Sequence, residues 1–351
     1  MSFPKLRHPI VQAPLAGGPS TPELAAAVSE AGGLGFVAAG YLSPEALGSQ
    51  IEHVRLLTRE PFAVNLFCLM ETPVDGARLA AYTRRIQADP AAASVTLGVP
   101  RFEDDAFETK LRLVIEQRVP IVSFTFGCPS RAVVDRVHEA GAAVWVTVTE
   151  VEEGQAAEQA GADALVAQGI EAGGHRGTFS DADGTGELST LSLLALLSRR
   201  TGLPLVGAGG IADGAGVAAV LAAGARAAQL GTAFMLCPEA GTAAPHRDAL
   251  LAGERTALTR AFTGRRARGI VNRFMRDHDA AAPAAYPQVN QLTSPLRKAA
   301  RERGDSGSIN LWAGQTHTLA RAQPAGELVR QLAHDATGAL DQAQQRLGRQ
   351  P

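Results

Sequence analysis

Short apolar runs recur along the chain, each after a helix-like stretch that ends at a glycine. Ala31-Gly32-Gly33 precedes Leu34-Gly35-Phe36-Val37-Ala38, and Ala140-Gly141-Ala142 precedes Ala143-Val144-Trp145-Val146-Thr147-Val148. Ala160-Gly161-Ala162 precedes Asp163 to Ala167, and Ala223-Gly224-Ala225 precedes Arg226 to Leu230. A glycine just past a helix end takes the left-handed conformation at least cost, so each junction predicts helix, turn, buried strand. Four further runs fit the same beat: Ile10 to Pro14, Phe62 to Phe67, Pro120 to Phe124 and Leu203 to Gly207. These runs are continuously apolar rather than alternating, as expected of parallel strands covered on both faces. Helix starts are marked by Ser20-Thr21-Pro22-Glu23 and Ser43-Pro44-Glu45, each with a capping side chain and a first-turn proline. Eight strands with helices between them predict an α/β fold, a (β/α)8 TIM barrel.

The beat stops after Thr232. From Pro238 to about Ser308 the chain is polar, carries prolines at 245, 283, 287 and 295, and shows no legible strand–helix unit. Helical periodicity returns from Ala325 to about Leu347. The expectation is a barrel of residues 1–235 plus 309–351, with an inserted lid, 236–308, after strand eight.

Composition narrows the class. Hydrophobic residues make up 46% and charged residues 19% of 351 residues, enough apolar material for one large core. A net charge of -2 argues against a nucleic-acid partner, and no apolar run is long enough to span a membrane. Cys68, Cys128 and Cys237 show no paired spacing, which fits a reducing, cytoplasmic setting. The eight histidines form no H-x-H or H-E-x-x-H ligand set, so no metal site is expected.

Chemistry concentrates where strands end, the usual place for it in α/β enzymes. Gln168 to Gly177 follows strand six and presents His175 and Arg176 among glycines. His175 is the candidate catalytic residue, and Arg176 reads as a brace for its loop. Gly207-Ala208-Gly209-Gly210 follows strand seven and Gln229-Leu230-Gly231-Thr232 ends strand eight, the two places where barrels often hold a phosphate. Polar residues at other strand ends, Gln12, Asn65, Ser123 and Gln168, would line the same mouth. The chain lacks G-x-x-x-x-G-K-S/T and a first-turn G-x-G-x-x-G, which disfavours a nucleoside triphosphate or a Rossmann-bound dinucleotide.

At these residues the chain resembles the nitronate monooxygenases, the FMN-dependent barrel family formerly called 2-nitropropane dioxygenases. The resemblance covers most of the chain: Gln12 to Gly18, the Asn65 strand, Gln168 to Gly177, Gly207 to Ile211 and Gln229 to Thr232. It continues through Tyr286 to Thr293, Pro295-Leu296-Arg297 and Leu311 to Gln315. It implies an FMN cofactor held by Ala13, Leu15, Asn65, Gln168, Gly173, Gly174, Gly209, Gly210, Gln229, Leu230, Gly231 and Thr232. Leu15 stands where the family commonly has methionine. The implied reaction oxidises an alkyl nitronate such as propionate 3-nitronate with O2, through a flavin semiquinone, to a carbonyl compound and nitrite. His175 would bind the nitro oxygens or move a proton, in a positive or hydrogen-bonding role. Tyr286 and Lys298 would reach the substrate's carboxylate from the lid. The alternative is a related FMN-dependent NAD(P)H reductase of the enoyl-ACP or quinone reductase type. A barrel that binds FMN or a phosphorylated metabolite without turnover is a third.

Overall fold

The computed structural model describes residues 3–181 and 184–348. Its strands are β1 (Ile10–Gln12), β2 (Gly35–Ala38), β3 (Phe62–Phe67), β4 (Ile121–Thr125), β5 (Ala143–Val148), β6 (Ala164–Gln168), β7 (Gly174–His175), β8 (Leu205–Ala208), β9 (Ala227–Leu230), β10 (Thr256–Thr259) and β11 (Ala267–Ile270). Its α-helices are α1 (Pro22–Glu30), α2 (Pro44–Leu57), α3 (Gly76–Gln87), α4 (Phe107–Glu116), α5 (Arg131–Glu139), α6 (Val151–Ala160), α7 (Thr190–Leu197), α8 (Gly214–Ala222), α9 (Ala244–Ala252), α10 (Arg273–His278), α11 (Gln288–Glu302) and α12 (Ala325–Gly348).

Eight of the strands pair in parallel in the order β1-β9-β8-β6-β5-β4-β3-β2. The ring closes where Gln12 N–H donates to Leu34 O (2.9 Å) and Leu34 N–H donates to Ile10 O (3.0 Å). This is the (β/α)8 TIM barrel that the repeated beat predicts. Gly32, Gly141, Gly161 and Gly224, the four junction glycines, all have positive φ. Thr21 and Ser43 are the N-caps of α1 and α2, each side chain accepting a first-turn N–H.

The strands are buried on both faces. Outward side chains such as Val64, Phe124, Val146 and Leu165 pack under the helices. Inward ones, among them Val11, Phe36, Ile121, Trp145 and Val206, fill the barrel. Phe3 stacks on Trp145 at 5.3 Å, so the start of the described chain joins this inner core. The last helix, α12, packs on α8 and α1 and completes the helical ring. No helix among the described residues is long and apolar enough to cross a membrane.

The segment after β9 is more regular than its polar, proline-rich sequence suggests. It folds into α9, the antiparallel pair β10–β11, α10 and α11. Pro295 lies inside α11, where it cannot donate to the Gln291 carbonyl. Gly98 of the β3–α4 connection packs against that point, and its N–H donates to Leu292 O at 3.1 Å. That connection is the second departure, because it carries an additional helix, α3, which packs on α11. Tyr82 Oη donates to Ala261 O at 2.5 Å, and buried Asp89 binds both Arg273 (2.8 Å) and His278 (2.6 Å). The elements of 236–308 are thus tied to residues 68–106, far away in sequence.

Candidate active site

One cavity of about 820 Å³ opens at the carboxyl ends of the barrel strands. Its volume is within the usual range for a ligand site. Ala13, Leu15 and Asn65 line it from the first strands; Gln168, Gly173, Gly174 and His175 from the end of β6 and from β7. Gly209, Gly210, Gln229, Gly231 and Thr232 line it from the ends of β8 and β9. Three sequence candidates stand elsewhere. Leu230 points into the core at 1% exposure, and Tyr286 lies behind the wall against the His175 ring, 5.5 Å between centroids. Lys298 faces solvent, outside the cavity lining.

Two further expected lining groups are structural. Gln12 is fully buried, with Oε1 accepting Phe36 N–H (2.8 Å) and Nε2 donating to Ser20 Oγ (3.0 Å). Ser123 is buried and accepts from Asn65 Nδ2 at 2.8 Å. These amides and hydroxyls satisfy one another within the barrel, as buried polar groups must.

His175 does not sit on a free loop. With Gly174 it forms β7, whose partner is β11 in the register Ala267↔His175. Gln168 holds the connection: its Nε2 donates to His175 O (3.1 Å) and its Oε1 accepts from Gly177 N (2.7 Å) and Arg176 Nη1 (2.9 Å). Arg176 is fully buried and also donates to Gly169 O (2.6 Å), Gln168 O (2.8 Å) and Gly186 O (3.1 Å). It is the brace that the sequence predicts. Gly173 must lack a side chain, since a Cβ there would lie 2.5 Å from the Ala313 carbonyl carbon.

The His175 ring is enclosed by Phe126, Tyr286 and Trp312, with centroids at 5.5–5.6 Å. Its Nε2 is 2.9 Å from Thr263 Oγ1, which also reaches the Arg265 carbonyl at 3.2 Å. A carbonyl can only accept, so both contacts are satisfied when Nε2 carries the ring proton, leaving Nδ1 as an acceptor. Burial, reinforced by the charges of Arg265 and Arg297, lowers the His175 pKa to about 3. With its pKa lowered in this way the imidazole is neutral near pH 7, which leaves the hydrogen-bonding form of the expected role.

The positive charge belongs to two arginines. Arg265 stacks over Phe126, Cζ 4.3 Å from the ring centroid, and donates to Arg176 O and Thr178 Oγ1. Arg297 lines the cavity and donates to Thr293 Oγ1 (3.1 Å), Asn310 Oδ1 (3.2 Å) and Asn290 Oδ1 (2.7 Å). Burial lowers the Arg297 pKa to about 10, which still leaves it charged at neutral pH. Among the described residues the hydrogen bonds named for both guanidiniums go to neutral oxygens. Arg265 lies outside the cavity lining and feels the carboxylates Asp181 and Glu153, whereas Arg297 faces the cavity with no carboxylate among its described partners, an arrangement that suits an anion there. Arg297, to which the sequence assigns no role, stands on the cavity wall, and Lys298, expected to reach the substrate, does not, a difference that helical spacing could have indicated. Asn290, Ser294, Arg297 and Arg301 all line the cavity at helical spacing along α11, and Lys298 falls off that face.

A closed parallel barrel with a cavity at its strand ends, lined by glycines, by Arg297 and Arg301 and also by Glu103, Asp104 and Asp105, defines a barrel enzyme for a small ligand. Residues 3–335 match the family model described as nitronate monooxygenase. The chain is 44% identical over 347 residues to a nitronate monooxygenase of Pseudomonas aeruginosa, covering 95% of this chain and 97% of that one. It is 41% identical to one of Paraburkholderia phytofirmans, over 96% of this chain and 94% of that one. A solved nitroalkane oxidase from Streptomyces ansochromogenes superposes with a TM-score of 0.93 at 50% identity, over 96% and 98% of the two chains. The chain belongs to the nitronate monooxygenase family and is an oxidoreductase of nitronates.

Proposed function

We propose that the protein uses FMN and O2 to oxidise alkyl nitronates, with propionate 3-nitronate as a representative substrate, to a carbonyl compound and nitrite. The observation that carries this reading is the one cavity that joins a glycine-lined recess to the uncompensated Arg297 end. The residues fit FMN. Gln229 Oε1 is a buried acceptor without a partner, which a hydroxyl or N–H of the cofactor would satisfy. Gly209 and Gly210 (φ +110° and +70°) and Gly231 keep the backbone bare where a phosphate would approach. Thr232 would share that end, with Ala13 and Leu15 against the ring and Asn65, Gly173 and Gly174 around it. Gln168 would act by positioning this wall, and Leu230 by placing its backbone. FMN, when bound, supplies the single-electron chemistry that links nitronate oxidation to O2.

The protein's own groups do the rest. Arg297, on the cavity wall, holds the anion, and Arg265, behind the lining, adds only its field. Phe126, Tyr286 and Trp312 exclude water around His175. His175 offers Nδ1 as a neutral acceptor that can take up a proton; the oxygens of a nitronate, acceptors themselves, need donors elsewhere in the site. Residues 236–308 serve as the lid, since α11 forms part of the cavity wall, and the barrel comprises 1–235 plus 309–351.

The test is oxygen uptake by the purified protein with propionate 3-nitronate and no NADH, with nitrite assayed in parallel. Uptake matched by nitrite is the expected result; no uptake, with a flavin that NADH bleaches, would transfer the protein to the reductase reading. A His175→Asn variant should retain flavin and lose most turnover, and full turnover would remove His175 from the mechanism.

A further inference from the structure

We propose that Tyr41 is the residue whose hydroxyl binds the oxygens of the nitronate, and that Tyr286 acts through Tyr41 rather than on the substrate. The inference rests on the nitronate reading above and adds to it a residue that no motif marks. Tyr41 lies in the loop after β2 and forms part of the cavity wall, whereas Tyr286 does not. Their hydroxyl oxygens are 3.0 Å apart. Protein atoms surround Tyr41 closely enough to raise its phenol pKa, yet 41% of its surface is accessible. Both hold because what it faces is the cavity. The charge of Arg297 acts on the same phenol first, then the opposing charge of Asp105, which Lys110 neutralises, then that of Arg265, so the hydroxyl stands beside the Arg297 cation that would hold an anion.

The backbone shows that this position is enforced. Tyr41 has φ +67°, a conformation that a bulky residue adopts only under constraint. Its N–H donates to Asp105 Oδ1 at 3.0 Å, and Asp105 Oδ2 is 2.7 Å from the ammonium of Lys110. Lys110 is buried and also donates to Ala39 O at 3.0 Å, two residues before Tyr41. Phe67 meets the Tyr41 ring edge-on at 5.3 Å. Strain gathers here: of the five non-glycine residues with positive φ among the described residues, Tyr41, Asp105, Ala106 and Phe126 line the cavity and Arg118 does not.

Two paired hydroxyls have one proton more than their mutual bond uses. With an anion present, Tyr41 donates to it and accepts from Tyr286, and each bond polarises the next. Tyr286, set back against His175 and Phe126, then strengthens the Tyr41 donor without touching the ligand.

The experiment titrates nitrate, a planar oxyanion, into the flavin-loaded protein by calorimetry, for the unaltered chain, Tyr41→Phe, Tyr286→Phe and the double variant. Tyr41→Phe should weaken nitrate about tenfold, the size of one charge-assisted hydrogen bond. Tyr286→Phe should weaken it about threefold, and the double variant should bind no more weakly than Tyr41→Phe. KM for propionate 3-nitronate should rise in parallel, with kcat and flavin content changed less. Unchanged nitrate affinity in Tyr41→Phe would overturn the proposal, and additive losses in the double variant would overturn the role of Tyr286. Absence of oxygen uptake by the unaltered protein would remove the nitronate reading alone, because the titrations still report on Tyr41 as an oxyanion ligand.

Discussion

In the proposed site Arg297 and His175 divide between them what the sequence assigns to one histidine and a lysine. The histidine has the position at the strand end but not the charge, because burial and two neighbouring guanidiniums keep it neutral. The charge comes from a residue one place before Lys298, and one place is about 100° around a helix. Arg297→Gln should therefore raise KM for an anionic nitronate about tenfold or more, while Lys298→Ala should leave it within about twofold. Steady-state oxygen uptake reads both. Equal effects from the two variants would remove Arg297 from the anion site. Residue type was legible here and side-chain direction was not, since the proline at 295 hid the helix that sets it.

Among the elements, the barrel strands and α1 and α2 were readable from local signals: apolar runs, capping side chains and helix-ending glycines. The pair β10–β11, the two-residue β7 and helix α3 were not. β7 exists only because β11, some 90 residues later, offers it hydrogen-bonding partners. α11 survives an internal proline because Gly98 and its neighbours pack on the helix at the break. A Cβ on Gly98 would lie 2.0 Å from the Gln291 carbonyl oxygen, which is backbone and cannot swing aside. Gly98→Ala should destabilise the protein by about 1–3 kcal/mol and weaken substrate binding by displacing Arg297. A lowered urea midpoint together with a raised KM is the expected outcome. An unchanged midpoint would mean that the two segments are not rigidly docked.

The whole molecule carries a pH dependence that follows from its buried histidines. Burial lowers the His246 pKa to about 4, as it lowers that of His175 to about 3. In the unfolded chain both titrate near 6.5. Between those limits the unfolded state binds more protons, so stability rises with pH through this window and is lost as pH falls below about 6.5. Thermal unfolding at pH 7 and pH 4.5 should show this loss, and His246→Gln should reduce it by removing one of the two protons taken up. An identical slope in that variant would exclude His246 as a contributor. Local sequence determined the barrel and the strand-end positions of its candidate groups, because the continuous apolar runs, the helical periodicity and the glycine turns act between near neighbours in the chain. Folding in three dimensions determined which groups share the cavity, which are charged there and which, like Tyr41 and Arg297, face it. Those properties arise from burial and from partners far away in sequence, and neither is written in any local pattern.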